Sequence, residues 1–268
     1  MQQLEQIQNR IETEGPFCIT DPDSKNMLVN NGGHDISYNV QIAVEPTSHI
    51  VLAVDTTNEV TDYKQLHRMA KQAKEVFGSE QHTVVVDRGY YSTSEFVKCI
   101  KDGISPIVPK PLRGNGIMSK YLKYNFVYDQ ESDTYVCPQG KALSRLRSLP
   151  ERREDIAIYQ NTLTCKAYPE LKSCTRTSAR RRIVRRPDDA AADAVDLRTK
   201  NHKDMVHLRK CMVEHCFGAV KRMFGFSYFL TRGLENVSTK FIMHFLVYNI
   251  KRVLNTLGTE RIRKALVV

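Results

Sequence analysis

Two carboxylates, Asp87 and Glu214, are the side chains of this sequence best placed for chemistry. Asp87 closes the run Thr83-Val84-Val85-Val86, which is short, apolar and β-branched. Such a run predicts a strand buried on both faces. A carboxylate at the C-terminal end of a buried strand stands at the sheet edge, where α/β proteins place their sites. Glu214 lies in a helix predicted over Lys203 to Phe224. If that helix packs beside the sheet, the two acids could share a divalent cation. Mg²⁺ needs only one or two carboxylates when water and substrate phosphates complete its shell. Paired metals can then activate an attacking oxygen and stabilise a leaving one. Each acid also has an ordinary reading, because Asp before Arg-Gly starts turns and a helical Glu is usually solvated.

The residues around Glu214 sharpen the first reading. Gly218 and Lys221 follow it by four and seven positions, on one helical face. Gly218 permits close approach of backbone or substrate, and Lys221 can meet a phosphate as a point charge. Met212, Cys216, Ala219, Val220 and Met223 form the opposite face, which can pack inward. Lys210, four residues earlier, can pair with Glu214.

The elements that must hold these residues read as follows. Met1 to Glu14 predicts a helix, and a turn-rich stretch from Gly15 to Gly33 follows. Tyr38 to Val44 and Ile50 to Val54 predict an antiparallel hairpin around Pro46-Thr47-Ser48. Asp62 is expected to N-cap the next helix, with Gln65 completing a capping box and Leu66, Met69, Ala70 and Ala73 on its apolar face. Gly78 should end it. After Asp87 come a helix from Ser94 and an edge strand, Ile104 to Pro109. The character changes from about Pro111 to Asp196, where glycines, cysteines and a dense arginine run suggest an inserted subdomain of short strands and loops. Two helices, Lys203 to Phe224 and Val237 to Leu257, close the chain around Thr231-Arg232-Gly233. The expected domains are 1–34, an N-terminal helix and linker; 35–110, the first part of the core; 111–196, the insertion; and 197–268, the helices that complete the core.

Composition sets the class. The chain has 268 residues, 41% of them hydrophobic, which suits a globular fold with a real core. No stretch approaches the ~18 apolar residues of a membrane span, and the Gln- and Glu-rich start lacks the pattern of a secretion signal. The expectation is a cytoplasmic, nucleoid-associated protein with no membrane partner. Seven scattered cysteines, an odd count, favour reduced thiols. A net charge of +10 favours a polyanionic partner, although a basic protein with no nucleic-acid role has the same signature.

Taken together, these segments resemble the DDE-type transposases of bacterial insertion sequences. VVVDRGYYS, Val84 to Ser92, is similar to the family's second acidic motif. RKCMVEHCFGAVKRMFGF, Arg209 to Phe226, is similar to the third. Tyr228 to Val237, Asp21 to Met27 and Tyr38 to Val44 also match in order. The resemblance implies an α/β fold, with a ribonuclease H-like mixed sheet flanked by helices, an inserted small subdomain and C-terminal helices. It implies Asp87 and Glu214 as catalytic and metal-binding acids, with Mg²⁺ or Mn²⁺ as cofactor. It implies Lys221 and Arg209 as DNA-contacting residues. The partners it implies are DNA, as transposon ends and target, and further copies of the chain in a homo-oligomer. The reaction implied is metal-dependent cleavage and strand transfer.

Two departures qualify the resemblance. The family's first acid lies on a strand ahead of the Tyr38 hairpin, and no such strand precedes Asp21 here; the expectation is an N-terminally truncated or split product, with Asp21 a weak substitute in a turn. The alternative is a catalytically inactive DNA-binding remnant. Relatives also carry a zinc-ribbon-like insertion. Here Cys137, Cys165 and Cys174 match three of its cysteines, but Tyr168 stands where a partner of Cys165 would be. Structural zinc takes four ligands, so none is expected. Arg176, Arg180, Arg181, Arg182, Arg185 and Arg186 form the densest positive charge, and Arg181 and Arg182 are the expected phosphate contacts.

Overall fold

The computed structural model describes residue 9 and residues 18–29, 32–111, 120–146, 156–169, 171–175, 180–223 and 230–266. The helix expected over Met1 to Glu14 lies outside these residues apart from Asn9, as do Arg176 and residues 224–229. The chain divides into two compact units, residues 1–108 with 199–268, and residues 109–198.

In the first unit an antiparallel hairpin pairs β1 (Lys25–Leu28), inside the stretch read as turns, with β2 (His34–Ser37), just after it. A second antiparallel hairpin pairs β3 (Asn39–Val44) with β4 (Val51–Thr57). Helix α1 (Leu66–Phe77) buries Leu66, Met69, Ala70 and Ala73, the expected face. Gly78 ends it at φ 69°, a left-handed conformation that costs glycine no Cβ clash, and its N–H closes on Lys74. β5 (His82–Val85) and β6 (Ile104–Ile107) pair in parallel across α2 (Thr93–Lys101). Pro106 stands in β6, whose only strand partner among the described residues is β5.

The expectation that Val84 to Val86 is buried on both faces does not hold: all three are half-buried. The reason is local. β3 pairs only with β4 and β5 only with β6, so the described residues of this unit hold three two-stranded sheets rather than one continuous sheet.

Helices α6 (Lys203–Met223) and α7 (Leu234–Leu257) close the unit, with α8 (Thr259–Leu266) behind them; here α3 to α5 denote helices of the second unit, placed below. The core joins both ends of the chain: Tyr38 and Val51 pack with Cys216 and Val220 of α6 and Val237, Phe241, Phe245 and Tyr248 of α7. Asn249 bonds both the N–H and the carbonyl of Val51, at 2.9 and 2.8 Å, fastening α7 to β4.

The second unit is a five-stranded antiparallel meander in the order β11-β10-β9-β8-β7. Its strands are β7 (Val127–Asp129), β8 (Thr134–Val136), β9 (Ala142–Arg145), β10 (Ala157–Gln160) and β11 (Arg182–Arg185). The short helices α3 (Thr162–Lys166) and α4 (Leu171–Cys174) follow β10, and α5 (Asp189–Asn201) follows β11. Tyr121, Phe126, Tyr135, Leu143, Tyr159, Cys174 and Ile183 make its core. Among the described residues, no helix is long and apolar enough to cross a membrane.

Candidate active site

Asp87 stands two residues past the end of β5 and caps the 3₁₀ turn Arg88–Tyr90. Both of its oxygens are engaged. Oδ1 accepts from the Gly89 N–H at 2.9 Å, and Oδ2 meets Arg209 Nη2 of α6 at 3.1 Å. Arg209 therefore reaches across from α6 to the strand-end carboxylate. The ion pair is partly open to water, with side-chain exposures of 23% and 42%, so solvent screens it and it positions more than it stabilises.

A third acid, Asp62, joins this place. A Cβ on Gly89 would lie 3.0 Å from Asp87 Oδ1 and 3.3 Å from Asp62 Oδ2, so both carboxylates crowd one glycine. Asp62 Oδ1 accepts from Asn39 Nδ2 and from Gln41 Nε2, each at 2.7 Å. The capping box expected of Asp62 and Gln65 does not form. Asp62 starts a 3₁₀ turn, Asp62–Lys64, preceded by Thr61, whose side chain makes no capping bond, and Gln65 is the residue before α1. The Asp62 carboxylate is instead drawn to the amide side chains at the start of β3. The sequence held a signal for this: Asn39 and Gln41 alternate on one face of the strand.

Tyr90 completes the cluster by bonding Gln41. Burial pushes its hydroxyl pKa up, Asp62 and Asp87 push it further, and Arg209 opposes them; the phenol stays protonated at neutral pH. Asn39, Gln41, Asp62, Asp87, Tyr90 and Arg209 form the polar end of a cavity of about 590 Å³. Its body is apolar, bounded by β3, β5, α1 and α6.

The structure brings together Asp87 and Arg209 but not Glu214. Glu214 is 68% exposed, and its nearest cation is Lys210, at 4.0 Å and one turn away. It does not line the cavity, whereas its neighbours Met212 and Val213 do. Helical phase accounts for this, since five residues from Arg209 rotate it about 140° off that face. Lys221 is exposed, while Cys216 and Val220 are buried as expected. Asp21 is structural, accepting from the Tyr38 hydroxyl at 2.7 Å and the Gly233 N–H at 3.1 Å.

In the second unit, Arg181 donates to the carbonyls of Cys174 and Tyr121, at 3.3 and 3.1 Å. Arg182 is exposed and bonds Gln160 at 3.2 Å. Arg185 lies 3.6 Å from the centre of the Tyr128 ring and bonds Asp193. Part of the arginine run is thus internal framework. Cys137, Cys165, Cys174 and Tyr168 line one small cavity of about 30 Å³. Among the described residues, no three His, Cys, Asp or Glu side chains form a group that could hold a metal ion.

Comparison with known proteins gives one family. Residues 136–254 match the model of the transposase DDE domain, a span that contains Arg209, Glu214 and Lys221 but not Asp87. No curated protein and no solved structure matches the chain. Residues 136–254 are therefore similar to a transposase DDE domain, and within that span the match agrees with the motif around Glu214.

Proposed function

We propose that this chain acts on DNA as a metal-dependent polynucleotidyl transferase with a ribonuclease H-like catalytic unit, Asp87 and Glu214 being its acids. The observation that carries this reading is the Asp87–Arg209 ion pair, which couples the strand-end carboxylate to the helix bearing Glu214. Asp62 is added to the acids, because it shares the Gly89 position with Asp87.

The donor set suits a hard cation. Asp62 and Asp87 supply two carboxylates, and Mg²⁺ or Mn²⁺ takes its other ligands from water and substrate phosphate. Glu214 lies about 140° from Arg209 around α6, so it would join them only if α6 turned or docked differently. Such a cation supplies Lewis acidity to the scissile phosphate and lowers the pKa of attacking water. The chain's own residues do the rest. Asn39 and Gln41 orient Asp62, Arg209 holds Asp87 against Gly89, and Tyr90 stays protonated beside them. Lys221 and Arg182, both exposed, are the proposed contacts to DNA phosphates, with Arg209 nearer the reacting group and Arg181 shaping the second unit's surface. Transposon ends and target DNA are the proposed substrates, and the working form is a homo-oligomer.

Nicking of a supercoiled plasmid with Mg²⁺ tests the reading. Asp87→Asn and Glu214→Gln should each abolish it while DNA binding persists. Nicking that survives both substitutions refutes it. A second reading, a DNA-binding relative without catalysis, is favoured by the exposed position of Glu214 and predicts binding with no nicking at any metal concentration.

A further inference from the structure

Helix α7 is apolar on two faces, and its own core covers one of them. Val237, Phe241, Phe245 and Tyr248 face that core. On the other side Met243, Leu246, Ile250, Val253 and Leu257 follow one another at spacings of three, four, three and four. That is the spacing of a seam between two helices. Ile242, Val247 and Leu254 flank the seam and widen it into a stripe. Apart from half-buried Val253, these side chains are between 37% and 53% exposed. A helix apolar all round is ordinarily buried all round. Single exposed leucines need no explanation, but a contiguous patch does.

The outer face is neutral as well as apolar. Between Ile242 and Leu257 the only Lys, Arg, Asp or Glu residues are Lys251 and Arg252. Helical phase sets these two about 100° and 160° from Ile250. Arg252 donates to the Ser48 carbonyl at 2.7 Å. A partner recognised by charge would find nothing on this stripe to read. A chain of net charge +10 repels its own copies, and a neutral strip is where two of them can meet.

Size and end charges favour self-pairing. The stripe exposes on the order of 500 Å², large for a surface that a monomer leaves in water. Two such stripes face to face bury about 1,000 Å², enough for a specific interface. Glu235 is exposed and lies about 60° from Ile250 in phase, on the same side of α7. The opposite end leads into α8, which carries Arg261, Arg263 and Lys264. An antiparallel pair sets the acidic end of one stripe beside the basic end of the other, whereas a parallel pair sets like beside like.

We propose that the outer face of α7 is a dimer seam, in which two copies of the chain pair their α7 helices antiparallel about a two-fold axis close to Ile250. The axis makes each Ile250 the neighbour of its counterpart in the other copy. The seam deepens the homo-oligomer proposed above by giving it an interface, and it stands or falls without DNA or metal.

Sedimentation velocity of the full chain without DNA tests it. A dimer is expected at about 10 µM. Ile250→Glu should weaken it at least about hundredfold, because two carboxylates then meet in an apolar seam, with the fold checked by circular dichroism. Ile250→Lys should be equally monomeric, and the two variants mixed should form a heterodimer, as a contact between the two 250 positions requires. A parent chain that is monomeric at about 100 µM overturns the proposal. Maleimide then separates the other occupants: an Ile250→Cys thiol that labels leaves the stripe to a different protein, and one that does not label shows it covered within the chain. An Ile250→Glu chain as dimeric as the parent overturns the seam while leaving a homo-oligomer through another surface. Mixed variants that stay monomeric overturn the axis at Ile250.

Discussion

Gly89 offers a test in which opposite signs distinguish two accounts. Its backbone is in the ordinary helical half of the map, because its φ is not among the positive values. With open space around it, Gly89→Ala would stabilise the fold by about 0.4–1 kcal/mol through the unfolded chain. The structure predicts the reverse. The new methyl would stand 3.0 Å from Asp87 Oδ1 and 3.3 Å from Asp62 Oδ2. Neither carboxylate retreats freely, since Arg209 and the Gly89 N–H hold one and Asn39 and Gln41 hold the other. One hydrogen bond to a charged group must lengthen. A full loss would cost about 1.5–3 kcal/mol, which partial solvent access reduces to about 1 kcal/mol net. That corresponds to a fall in Tm of about 2–4 °C, read by thermal circular dichroism. In an Asp62→Ser background the crowding is relieved, and the cost should shrink by at least about 0.5 kcal/mol. A Gly89→Ala protein as stable as the parent, or an unchanged cost in the Asp62→Ser background, refutes the convergence of the two acids.

Other outcomes follow from single contacts. Arg185→Met removes the cation over Tyr128 and the bond to Asp193, and should lower the stability of the second unit by about 1–3 kcal/mol, measured by urea titration. Tyr168→Cys places a fourth thiol at the cavity of Cys137, Cys165 and Cys174, and should raise bound zinc to about one per chain by metal analysis. Glu45 sits in the β3–β4 turn. Desolvation pushes its carboxyl up, but bonds from Ser48 and Thr47 outweigh this and hold it down, at about 2. Its folded value is depressed, so its contribution is present above the ordinary glutamate range and lost as pH falls toward about 2. Glu45→Gln should accordingly flatten the acid limb of the stability curve.

The sequence made some parts legible and hid others for definite reasons. The hairpin β3–β4 and the buried face of α1 were readable because alternation and 3.6-residue spacing report local burial. Asp87 was readable because it ends a β-branched run. Asp62 was misassigned: a helix cap and a site carboxylate look alike when the competing donors, Asn39 and Gln41, lie about twenty residues away. Helix α5 was missed because it is rich in alanine and aspartate, which leaves a weak apolar stripe. Glu214 shows the limit of motif spacing, which fixes which helix carries a residue but not the phase at which that helix docks. The arginine run illustrates the same limit for charge, since Arg181 and Arg185 serve internal partners.

The first unit is assembled from two lengths of chain separated by the second unit. On a ribosome, the apolar face of β3 and β4 emerges long before Val237, Phe241 and Phe245 exist to cover it. Closing an unstructured intervening loop of this size costs about 4 kcal/mol in chain entropy, less if the meander folds first and shortens the effective tether. Synthesis order thus makes the nascent N-terminal half a client for chaperones, and slow translation after residue 198 a route to aggregation.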